Sequence, residues 1–477
     1  MEKFKNVYFN VFIILLKFVV NDQLINNKYY NVLPNYFNAQ KYSHKNNNNL
    51  YFIFSLFRHV ARAPLDKDLN NNMDILGGIW DKEAELTSLG RKQNYIIGTK
   101  NKERYSGFIN NMYDPREIRI YSTNTNRTIS SAQSQLLGLF KGLSYMNYTT
   151  PDFLINNTEL DFDINSIIPP IYLYNEIKTI DQNIFQRRKN RFDTILYYSH
   201  FCTPMNKLIE KNYEDLENNT DIDNFIYEFI NKYGDILKRK YNLYIDNRKD
   251  IKRFCNAYIC DYFDETNKKV LDYFTKEDIN ITNLLYECYY YHGYYLFEIE
   301  GNGYAKKNNL ISMSILMRKI IELMNDRKTK SSKYINSESP KFLLISSHDT
   351  SLAMIQIFFQ NIFNTQLDYP YFSSNFIIEL RKYNENFFIE VYLNDYLKLN
   401  ITFEEFENKI MEIAYNETYV MNYCLEIKKY DIDTLLLILI VIFILHFIIF
   451  SYLSKFCCLN KNKQNKGRNL ISESIKK

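Results

Sequence analysis

The stretch LYFIFSLFRHVARAPLD, residues 50–66, places a nearly unbroken apolar run directly before a cluster of basic side chains. The run over residues 50–57 has the length and composition of a strand that is buried on both faces of a parallel sheet. Arg58, His59 and Arg62 follow at its carboxyl end, the edge at which open α/β sheets bind ligands. Basic residues at a strand end can also form a solvated rim, so other segments must decide between the two interpretations.

Two later segments predict the same arrangement of a strand followed by polar side chains. Residues 118–122 predict a strand that leads through a turn into a helix beginning near Arg127. Residues 341–359 predict a strand, a loop and a helix, with His348 and Asp349 just past the strand. Because the carboxyl ends of parallel strands share one edge of a sheet, we expect all three groups of side chains to converge there.

The remaining segments predict an α/β core interrupted by a helical insertion. A helix around residues 90–104, an amphipathic helix over 309–327 and a hairpin over 376–393 all belong to the strand and helix pattern. Residues 146–304 lack this alternation and contain helical segments, which favours a cap domain. The predicted core therefore comprises residues 50–145 and 305–424.

Composition and charge exclude several classes of protein. The 477 residues carry a net charge of +4 from 59 basic and 55 acidic side chains, and no stripe of Lys and Arg marks a nucleic-acid surface. The sequence also has no Gly-rich phosphate loop, no metal-ligand carboxylate cluster and no serine nucleophile motif. None of these motifs therefore offers an alternative to a site built from arginines and histidines.

The two ends of the chain predict a single-pass type I membrane protein. Residues 1–21 resemble a secretory signal, although a buried first helix is an alternative, and residues 22–49 form a polar lead segment. Residues 434–454 are apolar over a length that crosses a bilayer. The basic tail, residues 455–477, then lies in the cytosol, which places the catalytic domain in a lumen or outside the cell.

The residue types at the predicted sheet edge suit a phosphate ester. The planar guanidinium groups of Arg58, Arg62 and Arg127 match phosphate oxygens in geometry and charge. A neutral histidine is a nucleophile, and a neighbouring carboxyl group can act as a general acid. The grouping therefore predicts phosphoryl transfer without a metal or an organic cofactor.

Four motifs resemble the histidine acid phosphatases, a family of the histidine phosphatase superfamily, branch 2. They are RHVARAP (58–64), ELTSLG (85–90), YSTNTNRTISSAQSQLLGLF (121–140) and SSHDTSL (346–352), and they occur in family order. The segments CTPMNKL from Cys202 and YPYFSSNFIIEL (369–380) are weaker matches. The membrane-anchored, lysosomal-type members are similar in carrying a signal and one C-terminal span. The resemblance implies a three-layer core with a mainly parallel sheet and an inserted cap.

The resemblance also implies the roles of the site residues and the substrate class. His59 is expected to be the nucleophile that forms a phosphohistidine, and Asp349 the proton donor. The phosphate monoester is expected to be held by Arg58, Arg62, Arg127 and His348. The alternative role for Asp349 is a simple helix cap, and the alternative role for Arg127 is a surface ion pair. His348 is followed directly by Asp349, unlike the His-Ala-Glu motif of phytase-like relatives, which remain the nearest alternative within the family.

Val60 replaces the glycine of the family's Arg-His-Gly motif. A β-branched residue there would be strained if the position required positive φ or very close approach of another backbone segment. This substitution supports an alternative of a different class, in which the protein is a non-catalytic membrane glycoprotein that uses the scaffold for binding.

The cysteines and glycosylation sequons agree with a luminal domain. The resemblance implies a disulfide between Cys202 and Cys424, and it leaves the pairing of Cys255, Cys260 and Cys288 open. Cys457 and Cys458 suit palmitoylation, with unmodified thiols as the alternative. Glycosylation is expected at Asn147, Asn156, Asn218, Asn280, Asn400 and Asn416. The expected partners are a phosphate monoester and the bilayer, but no nucleic acid; the oligomeric state, including a homodimer, is left open.

Overall fold

The computed structural model describes residues 47–65, 69–70, 73–140 except 112 and 115, 172–174, 202, 204, 207, 220–264, 268–297, 306–329, 340–424 and 440–450. The predicted signal, the predicted cytosolic tail and three of the sequons, Asn147, Asn156 and Asn218, lie outside the described residues. Cys457 and Cys458 also lie outside them.

The described strands follow the predicted pattern and add to it. They are β1 (Leu50–Arg58), β2 (Leu69–Asn70), β3 (Met73–Asp74), β4 (Ile118–Thr123), β5 (Tyr172–Tyr174), β6 (Phe342–Ser347), β7 (Asn375–Tyr383), β8 (Asn386–Leu393) and β9 (Tyr396–Thr402). Seven of them form one sheet in the order β5-β4-β6-β1-β7-β8-β9, and β2 and β3 form a separate pair.

The sheet is mixed, which corrects the prediction of a mainly parallel one. Strands β5, β4, β6 and β1 pair in parallel, whereas β7, β8 and β9 are added by antiparallel pairings. The β8–β9 connection consists of Asn394 and Asp395, both with positive φ. Two such residues form the tight turn that joins antiparallel neighbours, so this half of the sheet is built from hairpins and needs no crossover helices.

The helices cover both faces of the sheet and form the insertion. They are α1 (Ser88–Arg104), α2 (Asn126–Leu139), α3 (Thr220–Tyr241), α4 (Arg248–Tyr262), α5 (Lys268–Lys276), α6 (Ile281–Tyr294), α7 (Lys306–Thr329), α8 (Asp349–Phe363), α9 (Phe403–Ile413) and α10 (Glu417–Cys424). Apolar side chains of α3 to α6 share one cluster, which also includes Ala353 and Ile357 of α8.

The central strand β1 shows why the core has three layers. Phe52 and Phe54 pack with α7, α8 and α9 on one face, whereas Ile53 and Phe57 pack with α2 on the other. Successive side chains of a strand point to opposite faces, so an unbroken apolar run buries both. The predicted three-layer α/β arrangement is therefore present around a mixed sheet.

Strand β5 lies within the range predicted as a helical cap. Residues Tyr172–Tyr174 pair in parallel with β4 at the edge of the main sheet. The range 146–304 thus contributes a strand to the core in addition to the helices α3 to α6. The other domain boundaries stay predictions.

Helices α1 and α2 cross at two glycines. A Cβ atom added to Gly98 would clash with the backbone carbonyl oxygen of Gln135, and one added to Gly138 would clash with that of Tyr95. The two backbones therefore touch directly, which only glycine permits at these positions. This crossing fixes the position of α2, the helix that carries Arg127.

A disulfide joins Cys202 to Cys424, the pair implied by the resemblance. Both cysteines are buried, beside Ile311 of α7 and Val420 of α10. The bond links residue 202 to the last residue of α10 across a separation of 222 residues. Cys255, Cys260 and Cys288 are buried thiols outside this disulfide.

Residues 440–450 are the described part of the predicted span 434–454, and they belong to a second unit of the chain, Glu426–Lys477. They form a helix of exposed apolar side chains, such as Phe443 and Phe450. In the parts of the chain that the structure describes, no helix reaches the length and apolar character needed to span a membrane. The membrane span stays a prediction.

Candidate active site

Three strand ends bring the predicted site residues together at one edge of the sheet. In the sheet order, β6 lies between β4 and β1. His348 and Asp349 follow β6, Arg58 ends β1 with His59 directly after it, and Arg127 is the second residue of α2, the helix after β4. The His59 backbone N–H donates to the Ser347 carbonyl at 2.9 Å, which extends the pairing of β1 and β6 to the site itself. The predicted convergence is therefore present.

His59 is held in one tautomer. Its Nδ1 lies 3.0 Å from the Val60 carbonyl oxygen, which can only accept, so Nδ1 carries the proton and Nε2 keeps a lone pair. The imidazole is 3 % exposed, and burial lowers its pKa well below the usual value, with a further decrease from the charges of Arg127 and Arg58. His59 is thus a neutral imidazole suited to nucleophilic attack.

Arg58 forms a buried ion pair with Asp349. Its Nη2 lies 2.6 Å from Asp349 Oδ2, and its Nη1 donates to the Pro370 carbonyl at 2.7 Å. The ring of Phe372 lies under the guanidinium carbon at 4.5 Å. Burial alone would lower the pKa of Arg58, but the Asp349 carboxylate and other neighbours raise it overall.

Asp349 combines two contacts. Its Oδ1 accepts the Thr350 backbone N–H at 2.9 Å, but α8 begins at Asp349 itself with His348 as the N-cap residue, so Asp349 is not the helix cap of the alternative interpretation. Burial would raise the pKa of Asp349, but Arg58 and the neighbouring histidines together outweigh burial and hold that pKa far below its usual range. In the free protein Asp349 is therefore an ionised carboxylate.

His348 stands between Arg127 and a threonine. Arg127 Nη2 lies 3.4 Å from Nδ1, and Thr123 Oγ1 lies 3.1 Å from Nε2. A guanidinium can only donate, so Nδ1 accepts from Arg127 and Nε2–H donates to Thr123. Burial lowers the pKa of His348 to about 3, and the charge of Arg127 contributes to the decrease. The ring centroids of His348 and His59 are 5.5 Å apart.

Arg62 connects the cluster with the cap. Its Nη2 donates to Asn256 Oδ1 of α4 at 2.9 Å, and its Nη1 donates to the Ala63 carbonyl at 2.7 Å. The Nε atoms of Arg58 and Arg62 are buried donors without a hydrogen-bond partner among the described residues. Buried guanidinium donors of this kind fit an anion with several oxygens, such as phosphate.

Val60 fits its position without strain. It is absent from the residues with positive φ, and its side chain is fully buried. Its Cγ2 lies near the α-carbon of Gly90, where an added Cβ would be 3.1 Å away. The expected cost of a β-branched residue therefore does not arise, because Gly90 of the ELTSLG motif leaves room for it.

The ELTSLG motif supports the loop that carries the basic residues. The Ala63 backbone N–H donates to the Glu85 carbonyl at 2.8 Å, and the Thr87 N–H donates to the Ala61 carbonyl at 3.1 Å. Thr87 Oγ1 also caps α1 by accepting the Gly90 N–H. This motif is thus a structural support for residues 58–64.

Two side chains next to the cluster, Tyr369 and His292, were not predicted from the sequence. Tyr369 interacts electrostatically with Arg58, and His292 of the cap helix α6 contacts the Tyr369 hydroxyl. Tyr369 belongs to the weakly matching segment 369–380, so this match to the family could have identified it. His292 has no motif around it.

Three predicted glycosylation sites lie among the described residues. Asn280, Asn400 and Asn416 are exposed. The Oδ1 of Asn280 accepts the backbone N–H groups of Thr282 and Asn283 at the start of α6. Exposure is compatible with the predicted glycans, which stay predictions.

Comparison with known proteins gives one family match and several partial relatives. The model of the histidine phosphatase superfamily (branch 2) matches residues 35–394. Prostatic acid phosphatase of Bos taurus is 33% identical over 105 residues, which are 21% of this chain and 27% of the relative. Lysosomal acid phosphatase of Xenopus laevis is 33% identical over 95 residues, 19% of this chain and 21% of the relative. The matched segments thus span about a quarter of these relatives or less.

Solved structures resemble this chain over a longer range at low identity. The phytase of Citrobacter braakii shares 12% identity with a TM-score of 0.45 and covers 77% of this chain and 98% of its own. The multiple inositol polyphosphate phosphatase of Bifidobacterium longum, in complex with phosphate, shares 12% identity with a TM-score of 0.47, and the match covers 77% of this chain and 91% of its own.

Proposed function

Because the chain belongs to the histidine phosphatase superfamily (branch 2), we propose that it is an acid phosphatase that hydrolyses phosphate monoesters through a phosphohistidine on His59. The observation that carries the proposal is the state of His59. The neutral imidazole lies beside Arg58 and His348, and the contact of Nδ1 with the Val60 carbonyl keeps the proton on Nδ1. A lone pair on Nε2 among cationic groups suits attack on an anionic phosphoryl group.

The first step transfers the phosphoryl group to the protein. Nε2 of His59 attacks phosphorus, and the bond between phosphorus and the ester oxygen breaks. Asp349 gives its proton to the departing alkoxide. Arg58, Arg62 and Arg127 hold the phosphoryl oxygens and stabilise the charge that develops on them. His348 joins them when the bound dianion draws Arg127 away from its Nδ1 and raises its pKa, so that Nδ1 takes up a proton and donates to a phosphoryl oxygen.

The second step returns the protein to its starting state. Water attacks phosphorus and gives a proton to the Asp349 carboxylate as the bond between phosphorus and nitrogen breaks. Orthophosphate leaves, and His59 is again neutral. Once phosphate has left, Asp349 pairs with Arg58 again and releases this proton to solvent, and it takes up another proton when the next ester binds.

Bound substrate supports the acid role of Asp349. The free carboxyl group has a low pKa because it is paired with Arg58. A phosphoryl dianion competes for that guanidinium and adds negative charge nearby, and both effects raise the pKa of Asp349. Low pH then favours the protonated acid, which fits activity in an acid compartment.

The setting that we propose is a luminal or extracellular domain with a C-terminal membrane anchor. The disulfide between Cys202 and Cys424 supports an oxidising compartment. The names of the lysosomal and prostatic relatives agree with such a location for those proteins. The anchor is residues 434–454, and the signal is residues 1–21.

The test is hydrolysis of p-nitrophenyl phosphate by the purified full-length chain between about pH 4 and pH 8 with EDTA present. We expect metal-independent activity that peaks in acid and is lost in His59→Ala. Val60→Gly is a matched control within the same motif and should keep the rate within a few-fold, because Val60 is unstrained.

Absence of activity in a folded, monodisperse chain would overturn the proposal. Activity that persists in His59→Ala would instead retain a phosphatase but exclude the phosphohistidine on His59. A strong gain of activity in Val60→Gly would favour the non-catalytic scaffold, since the natural residue would then be the defect.

A further inference from the structure

Arg58 has a second set of contacts, which does not involve Asp349. Its Nη1 donates to the Pro370 carbonyl at 2.7 Å, and the Tyr369 side chain lies near enough to interact electrostatically with the guanidinium. Both acceptors belong to the loop before β7. Neither group changes its charge when Asp349 takes up a proton.

The cap continues this set of contacts. Nδ1 of His292, on the cap helix α6, lies 2.6 Å from the Tyr369 hydroxyl. A guanidinium can only donate, so the Tyr369 oxygen can face it only as an acceptor, which leaves the Tyr369 O–H to donate to His292. Nδ1 must then be the acceptor, and His292 is neutral with its proton on Nε2.

The state of both groups agrees with this direction of hydrogen bonding. Burial lowers the pKa of His292 to about 3, although Asp349 opposes the decrease. Burial also raises the pKa of Tyr369 far above its usual value, so the phenol keeps its proton. Each group therefore holds the proton that the chain from Arg58 to His292 requires.

Packing fixes the ring of Tyr369 where it makes both contacts. The rings of Tyr289 and Tyr371 lie 4.8 Å and 4.9 Å from it between centroids. Gly293 allows α6 to come close, since a Cβ there would be 3.1 Å from Tyr369 Cδ2. The hydroxyl position is thus determined by the cap helix as well as by the core.

We propose that Tyr369 and His292 are positioning residues that hold Arg58 in its phosphate-binding orientation while Asp349 is protonated. The inference deepens the proposed function and rests on it. When Asp349 takes up a proton, Arg58 loses its ion pair but keeps Tyr369 and Pro370 as neutral acceptors. A guanidinium that stays in place needs no reorganisation as the phosphoryl group is bound.

The experiment measures orthophosphate binding by calorimetry at about pH 5, together with kcat and KM for p-nitrophenyl phosphate. Tyr369→Phe and His292→Ala are each expected to weaken phosphate binding about tenfold, because a hydrogen bond to a buried charged group is weakened. His292→Asn offers an acceptor near the position of Nδ1 and should restore most of the affinity. The double variant should be no weaker than Tyr369→Phe, since the two residues act as one unit.

Tyr291→Phe is the matched control on the same helix. The Tyr291 hydroxyl donates to the Arg248 carbonyl at 2.8 Å, so this variant also loses a tyrosine hydrogen bond of the cap. Its phosphate affinity should equal that of the wild type. Unchanged affinity in a folded Tyr369→Phe would overturn the inference. An equal loss of affinity in Tyr291→Phe would also overturn it, because the variants would then act through the general stability of the cap.

Two readouts separate this inference from the proposed function. A wild type that binds orthophosphate but hydrolyses no ester would overturn the function, while the variants still test the positioning of Arg58. The nitrogen-15 chemical shifts of His292 in the unmodified chain require no variant to fold. They should show the neutral tautomer with the proton on Nε2, and a proton on Nδ1 would overturn the inference.

Discussion

At the residue scale, Arg58 has two competing anionic partners in the proposed reaction. The free protein pairs it with Asp349 at 2.6 Å, and the substrate offers phosphoryl oxygens instead. Exchange of one partner for the other links phosphate binding to the protonation of Asp349. The proton donor is therefore ready only when an ester is present.

Asp349→Asn should affect esters according to their leaving groups. An alkoxide needs the proton from Asp349, so kcat for β-glycerophosphate should fall by about 100-fold or more. The p-nitrophenolate ion leaves without a proton, so the loss for p-nitrophenyl phosphate should be much smaller. Steady-state kinetics with both esters checks this difference.

Glu85→Gln is a useful comparison for that measurement. It alters a carboxylate that accepts a hydrogen bond from Asn126 at 2.8 Å. Any loss of activity should be the same for both esters. An equal loss for both esters in Asp349→Asn would contradict the general-acid role.

At the scale of elements, the position of Arg127 depends on how α1 and α2 cross. Arg127 is the second residue of α2, and the crossing at Gly98 and Gly138 leaves no room for a side chain. Anything that separates the two helices moves Arg127 relative to His348. Helix packing therefore has a direct consequence for phosphate binding.

Gly98→Ala should lower the free energy of unfolding by about 2–3 kcal/mol and raise KM, because the added methyl group forces the helices apart. Gly234→Ala in α3 is the matched control. Its Cβ would meet only Ile230 Cγ2 at 3.4 Å, so the helix should gain up to about 1 kcal/mol. Urea denaturation and kinetics of both variants test the prediction, and a Gly98→Ala variant as stable as the wild type would refute it.

Elements with strong local patterns were predictable from the sequence. The apolar run of β1 and the strand before His348 were identified because they are buried on both faces. Strand β5 has only three residues, which are too few to show a pattern. Strand β9 does have the alternation of a half-buried strand, with Leu399 and Ile401 packed against the core, but this signal was not used. The six site residues were found through motifs at strand ends. Tyr369 and His292 are separated by 77 residues and meet only through tertiary packing, which no local pattern encodes.

At the scale of the whole molecule, the acid compartment that we propose should lower the stability of the fold, because several histidines are buried in their neutral form. Burial lowers the pKa of His292 and of His348 to about 3, and that of His59 also falls. In the unfolded chain these groups titrate near pH 6.5. The unfolded state therefore binds more protons below pH 6.5, and acid reduces the contribution of these histidines to stability.

His292→Asn should make this contribution measurable. The stability that neutral His292 supplies is fully present above about pH 6.5 and is lost as pH falls toward about 3. The advantage of the wild type over His292→Asn should therefore shrink in acid, with a slope of up to about 1.4 kcal/mol per pH unit. Burial raises the pKa of Asp261, which acts in the opposite direction but cancels in the comparison. Urea denaturation across the pH range checks the slope, and a constant difference would contradict a buried neutral His292.

The disulfide should contribute strongly to stability because it closes a long loop. Replacing Cys202 and Cys424 by serine should lower the free energy of unfolding by about 3–5 kcal/mol. Reduction of the wild type should give the same loss, and the double variant should not respond to reductant. A wild type that is equally stable with and without reductant would contradict the prediction.

Strand β1 also sets the order in which the chain can fold during its synthesis. It is among the first elements of the core to leave the ribosome, but its neighbours β6 and β7 begin only at residues 342 and 375. Until then a nine-residue strand, buried in the finished sheet at every position except the half-buried Tyr51, has neither of its partners. We therefore expect the nascent chain to depend on chaperones until most of it has been translated, and the sheet to close only after the helical insertion has been made.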